Sequence, residues 1–111
     1  MPRTFDRLFK ESFAGVVDAA GDLTIKFGPQ LNELWDVSQV SLEMPNAPVG
    51  ASVSLRVMGS FVDAPASPRR ASAGGDPPVY LNGGEFMTVE WINCTPGDFG
   101  NVWITYRKSI Y

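Results

Sequence analysis

At 111 residues with 44% hydrophobic content, the chain has the length of one domain and enough apolar material for one core. A net charge of −3 argues against a duplex nucleic-acid binder, which needs a basic face for the phosphates. The single cysteine, Cys94, can form no intrachain disulfide, which suits folding in a reducing compartment.

Residues 1–7 lack the apolar core of a secretory signal, and no apolar run approaches the ~18 residues of a membrane span. The expectation is a soluble protein made in the cytoplasm, with neither membrane nor nucleic acid as partner. Phe5, Leu8 and Phe9 fall at helical spacing, with Asp6, Arg7, Lys10 and Glu11 on the other side and Thr4 as a cap. This predicts a short N-terminal arm or helix over residues 1–11, which either covers one end of the core or docks on a neighbouring subunit.

From Ser12 onward the periodicity is that of strands. Phe13–Val17 and Leu23–Phe27 flank Asp18-Ala19-Ala20-Gly21-Asp22, which reads as a hairpin turn. Trp35 to Met44 reads as a longer strand whose apolar parity changes between Val37 and Val40, the mark of a bulge near Ser38-Gln39. Val53, Leu55, Val57, Gly59 and Phe61 alternate with polar neighbours as one half-buried strand of an antiparallel sheet. Residues 64–78 hold four prolines, two glycines and the Arg69-Arg70 pair with no large apolar side chain, which predicts a flexible surface loop. Val79–Leu81, Glu85–Asn93 and Asn101–Ile110 read as further strands separated by turns at Asn82-Gly83-Gly84 and Thr95-Pro96-Gly97-Asp98. About seven short strands without a long helix favour an all-β fold: one antiparallel β-sandwich domain over residues 1–111, jelly-roll-like or immunoglobulin-like.

Histidine is absent, which removes the commonest general base, the Ser-His and Cys-His nucleophile pairs and the commonest metal ligand. Cys94 has no second cysteine for zinc, and the glycine pairs lack the lysine and hydroxyl of a phosphate loop. Glu85 and Glu90 lie five residues apart on one strand and point to opposite faces, so they do not form a glycosidase pair. No enzymatic activity, cofactor or metal is expected. If Met87, Val89 and Trp91 share the core with Val102, Ile104 and Tyr106, then Phe86, Ile92 and Trp103 remain on an outer face, as a contact surface would. With Phe5, Leu8 and Phe9 of the arm, and Arg69 and Arg70 as a site for an acidic partner, these are the candidate interface residues. Trp35 is expected in the core rather than as a platform for carbohydrate.

The order of residues resembles the small β-rich structural proteins of actinobacterial tailed bacteriophages, often described as minor tail proteins. The resemblance runs through Gly28-Pro29, Trp35-Asp36-Val37, Val53-Ser54-Leu55-Arg56-Val57 up to Gly59, Val62-Asp63, Leu81 with Gly84-Glu85, Val89-Glu90-Trp91 and Pro96-Gly97. It covers roughly Gly15 to Tyr106; the composition of residues 64–78 and the Phe5-Leu8-Phe9 segment depart from it. It implies a non-enzymatic virion component, made in the host cytoplasm, that homo-oligomerises and contacts other virion structural proteins. The alternatives are a capsid decoration protein and a carbohydrate- or receptor-binding β-sandwich that takes a host surface glycan through Trp35 with Asp36, or Trp103 with Asn101 and Arg107.

Overall fold

Apolar residues at every second position give a strand one dry face, and two such sheets close over each other. The computed structural model describes residues 8–63, 67–73 and 79–110. Among these it holds nine strands and no helix: β1 (Leu8–Val16), β2 (Leu23–Phe27), β3 (Glu33–Glu43), β4 (Ser52–Val57), β5 (Ser60–Asp63), β6 (Arg70–Ala73), β7 (Val79–Leu81), β8 (Met87–Ile92) and β9 (Phe99–Ile110). One antiparallel sheet has the order β1-β9-β3-β6, with β7 also paired to β3, and the other has the order β2-β8-β4-β5.

The inner faces meet in one cluster. The first sheet contributes Trp35, Val37, Val40, Leu42, Val102, Ile104 and Tyr106; the second contributes Leu23, Ile25, Phe27, Val53, Leu55, Met87, Val89 and Trp91. Trp35 and the two expected inward triplets of β8 and β9 are therefore core. The parity change in β3 is a bulge: the register against β9 shifts between Val37 and Gln39. Ser38 stands opposite no residue there, and its hydroxyl donates to the Thr105 carbonyl at 3.1 Å.

Four expectations change. Leu8 and Phe9 belong to β1 rather than a helix, because residues 8–16 pair without interruption with Arg107 back to Phe99 of β9. A helix of one or two turns satisfies few backbone groups by itself, whereas the ladder satisfies one edge along the whole strand. Phe5 lies outside the described residues. The flanks of Asp18–Asp22 form no hairpin: β1 pairs β9 and β2 pairs β8, so this turn carries the chain from one sheet to the other. Its geometry is nonetheless tight, with Asp18 Oδ1 accepting from the amides of Ala20 and Asp22, both at 2.9 Å, and Gly21 at φ +86°.

The alternating run from Val53 to Phe61 is two strands. Val57 pairs Ser60 across Met58-Gly59, whose φ values of +51° and +84° are those of a two-residue hairpin turn. Gly59 takes this conformation freely and Met58 takes it at a cost. The single-strand alternation does not carry through the turn: Val57 stands opposite Ser60 and Arg56 opposite Phe61, so the face that odd-numbered positions occupy in β4 passes to even-numbered positions after it. Finally, residues 64–78 are not all loop: β6 pairs Val40–Glu43 of β3. The adjoining Arg69 Nε donates to the Ala47 carbonyl at 2.7 Å, and Trp91 Nε1 donates to the Pro68 carbonyl at 3.0 Å. Small side chains at Ala71 and Ser72 suffice where a neighbouring strand supplies the ladder. Residues 64–66 and 74–78 of the expected loop lie outside the described residues.

Candidate functional site

Trp103, Phe86 and Ile92 do not form one patch. Trp103 sits on the outer face of the β1-β9-β3 sheet, whereas Ile92 ends β8 and Phe86 immediately precedes β8, in the opposite sheet. Phe86 is half-buried, with Lys26 Nζ 4.2 Å from its ring centroid and its amide directed at Met58 Sδ at 3.4 Å. Ile92 is exposed opposite Ser52. Phe9 is inward and partly covered: it stacks on Tyr106 at 5.5 Å, and Lys108 Nζ lies 4.6 Å from its centroid. Arg69 is held by the Ala47 carbonyl, and Arg70 stands across from Glu43 in the ladder of β6 and β3. Neither is a loose cation on a loop.

The structure instead gathers large apolar side chains on the outer face of β1 and β9. Cross-strand partners in an antiparallel pair share a face, and the rows here are Leu8 with Arg107, Lys10 with Thr105, Ser12 with Trp103, Ala14 with Asn101, and Val16 with Phe99. Leu8 is 54% exposed, Val16 53%, Phe99 66% and Trp103 43%. Val16 and Phe99 were missed in the sequence because Val16, inside the expected Phe13–Val17 strand, had no known cross-strand partner, and Phe99 fell between the turn ending at Asp98 and a strand taken to begin at Asn101. The alternation of Phe9, Glu11, Phe13 and Gly15 against Leu8, Lys10, Ser12, Ala14 and Val16 was the available signal.

Trp103 has only small neighbours in its row, Ser12 on one side and Ser41 then Ser72 on the other. The two serine hydroxyls of β3 and β6 lie 3.1 Å apart. A shallow hollow of about 400 Å³ opens beside the indole, bounded by Ser41, Glu43, Arg70 and Ser72.

A second concavity, about 640 Å³, lies at the side of the sandwich where β1 and β2 are both edge strands. Phe13 of β1 stacks on Phe27 of β2 at 5.3 Å and ties the two sheets together there. Trp35 and Tyr106, stacked at 4.0 Å, also line the cleft, as do Glu11, Glu33 and Glu85. Each carboxylate is engaged. Glu11 accepts from the Tyr106 hydroxyl at 2.6 Å. Glu33 accepts from Trp35 Nε1 at 3.0 Å and pairs with Lys108 Nζ at 3.6 Å. Glu85 accepts from the Asn82 amide at 2.6 Å. Burial, the bond to Glu11 and the negative charges of Glu11 and Glu33 hold the Tyr106 hydroxyl well above its ordinary value. Burial, with Asp98 and Asp22 nearby, likewise pushes the Cys94 thiol up, which keeps it protonated and unreactive. Among the described residues no group of three or more Cys, Asp and Glu side chains could hold a metal ion.

No protein-family model matches the chain, and no curated protein matches it in sequence. Among solved structures, the crystal structure of FLHE is similar, with a TM-score of 0.53 and 13% identity over 90% of this chain and 97% of that one. The crystal structure of dimeric latent PorU from Porphyromonas gingivalis aligns with a TM-score of 0.38 and 14% identity over 93% of this chain and 13% of that one. At this identity the likeness to FLHE is one of fold alone.

Proposed function

We propose that this chain is a non-enzymatic structural protein that works by assembly, and that its setting is a bacteriophage virion, as a minor tail protein or a capsid decoration protein. The virion setting rests on the resemblance running from Gly28-Pro29 to Pro96-Gly97. The assembly reading rests on one observation: Val16 and Phe99 face each other across β1 and β9 while exposing 53% and 66% of their surfaces, on the same face as Leu8 and Trp103. A cross-strand apolar pair left in water is what a contact surface looks like before its partner arrives. Light scattering over a range of concentrations tests this. The wild-type protein is expected to form a defined oligomer, and Phe99→Ser is expected to shift it to monomer with little change in Tm, since most of that ring is already solvated. A wild-type monomer at every concentration refutes self-assembly.

A second reading has its own observation in its favour. Trp103 beside a polar hollow lined by Ser41, Glu43, Arg70 and Ser72 has the arrangement of a saccharide platform, an aromatic face with hydrogen-bonding groups at its rim. Quenching of tryptophan fluorescence by host cell-wall sugars, lost in Trp103→Ala, is the result that would favour it.

A further inference from the structure

Every open sheet invites pairing at its edges, and proteins blunt that tendency by keeping edge strands short or charged. Most edges here are short: β2 has five residues, β5 and β6 four each, and β7 three. The outer edge of β1 runs for nine residues without proline, and among the described residues no strand pairs with it. The Val17 amide donates to the Asp98 carbonyl at 2.8 Å, which sets the phase of the β1·β9 ladder. By alternation, Leu8, Lys10, Ser12, Ala14 and Val16 turn their backbone N–H and C=O groups to the open edge.

We infer that β1 is a homodimerisation strand, pairing antiparallel with β1 of a second copy about a two-fold axis at Ser12, so that the two β1-β9-β3 sheets become one. This deepens the assembly reading above and rests on it. The register follows from elimination. Continuing the sheet requires outward residues to oppose outward residues, so only same-parity registers are open. An axis at Lys10 sets two ammonium groups face to face, and an axis at Glu11 sets two carboxylates face to face. An axis at Phe13 or Ala14 shortens the overlap. Centred on Ser12, all nine residues pair and no like charges oppose.

That register also covers the exposed side chains. Leu8 meets the partner's Val16, and the row across both copies reads Phe99, Val16, the partner's Leu8, the partner's Arg107. By symmetry this happens at both ends, so the side chains exposed by 54%, 53% and 66% bury one another. Lys10 lies opposite Ala14 and Glu11 opposite Phe13, so each charge meets a neutral neighbour. The central row places Ser12 against Ser12 between the two Trp103 side chains, and small residues at the axis let the sheets approach.

The test is cysteine cross-linking of the full chain. Cys94 is buried and stays out of the reaction. Ser12→Cys is expected to give a disulfide-linked dimer under mild copper–phenanthroline oxidation, since directly opposed Cα atoms stand about 5.5 Å apart, within disulfide reach. Lys10→Cys alone is expected to stay uncross-linked, and Lys10→Cys with Ala14→Cys is expected to cross-link. In parallel, Ala14→Pro removes an N–H that faces solvent in the monomer, so the fold should persist by circular dichroism while the dimer is lost in light scattering. An oligomer that forms without a Ser12→Cys cross-link, or that survives Ala14→Pro, overturns the β1 edge and leaves the assembly reading standing. A wild-type monomer overturns both.

Discussion

Replacing Trp91 by Phe tests how the Pro68–Ala73 segment is held. Trp91 is fully buried in β8, between Leu23 and Val53 in the ladder, and a Cβ on Gly100 would lie 3.3 Å from its Cζ3. Its Nε1 donates to the Pro68 carbonyl at 3.0 Å, just ahead of β6. Three losses follow from Trp91→Phe. A residual cavity of ~40 Å³ costs about 1 kcal/mol. The apolar area no longer buried, ~40 Å² at ~25 cal/mol per Å², costs about another. The lost hydrogen bond costs about 1 kcal/mol, without an orphan penalty because the half-exposed Pro68 can turn its carbonyl to water. The sum is ~3 kcal/mol, a large part of a typical stability of 5–15 kcal/mol. At roughly 4 °C per kcal/mol it lowers Tm by about 12 °C. Urea unfolding followed by far-ultraviolet circular dichroism gives the free energy, and amide hydrogen exchange gives the location. Exchange at Ala71, whose amide faces Leu42 of β3 in the ladder phase set by the Met44 amide on the Arg69 carbonyl, should accelerate beyond the global change, because β6 loses its tether while β2 and β8 keep their ladder. A loss below ~1 kcal/mol with unchanged relative protection of β6 would refute the tether.

Two further substitutions probe separate elements. Met58→Asn puts a residue that tolerates φ > 0 into the β4–β5 turn and should raise the urea midpoint, by roughly 0.5–1 kcal/mol of stability with m unchanged; a fall would mean that the contact of Met58 Sδ with the Phe86 amide outweighs the backbone strain. Tyr106 has a raised folded-state pKa, so its contribution is fully present below the unfolded value of about 10 and declines as pH rises from there toward the folded value. The midpoint measured from pH 8 to 11 should therefore fall less steeply above pH 10 in Tyr106→Phe than in wild type, although the variant starts lower for want of the bond to Glu11; equal slopes would mean that Tyr106 ionises as freely folded as unfolded.

The two-sheet core was legible because its pattern is local. Met87, Val89 and Trp91 alternate within one strand, as do Val102, Ile104 and Tyr106, and the bulge at Ser38 shows as a change of parity in a single run. What was not legible depends on partners distant in sequence. Phe5, Leu8 and Phe9 carry a helical spacing, yet β1 is extended because β9, almost a chain length away, supplies its ladder. Arg70-Ala71-Ser72-Ala73 has no strand composition at all and becomes β6 only because Val40–Glu43 stands beside it. Ile92 and Trp103 do point away from the core, since alternation within a strand settles in or out, whereas Phe86 precedes β8 and is half-buried. Alternation within a strand does not say which sheet the strand joins, and so could not show that Trp103 and Ile92 face away from each other.

The same distinction explains where the contact surface lies. Inward residues are constrained by packing against the opposite sheet, so β1 keeps Phe9 and Phe13 whether or not a partner exists. Outward residues of a solvated edge face no such demand, and Lys10, Ser12, Asn101, Thr105 and Arg107 hold polar side chains at those positions on β1 and β9. Leu8, Val16 and Phe99 break that rule at the ends of the strand pair, while Ser12, small and neutral, sits at its centre. A scattered set of exposed apolar side chains would be ordinary. Apolar residues at both ends and a small neutral residue at the centre, on the longest edge of the described fold, bring Leu8 against Val16 and Ser12 against Ser12 when β1 is turned antiparallel on itself, which is what a two-fold contact asks of a strand.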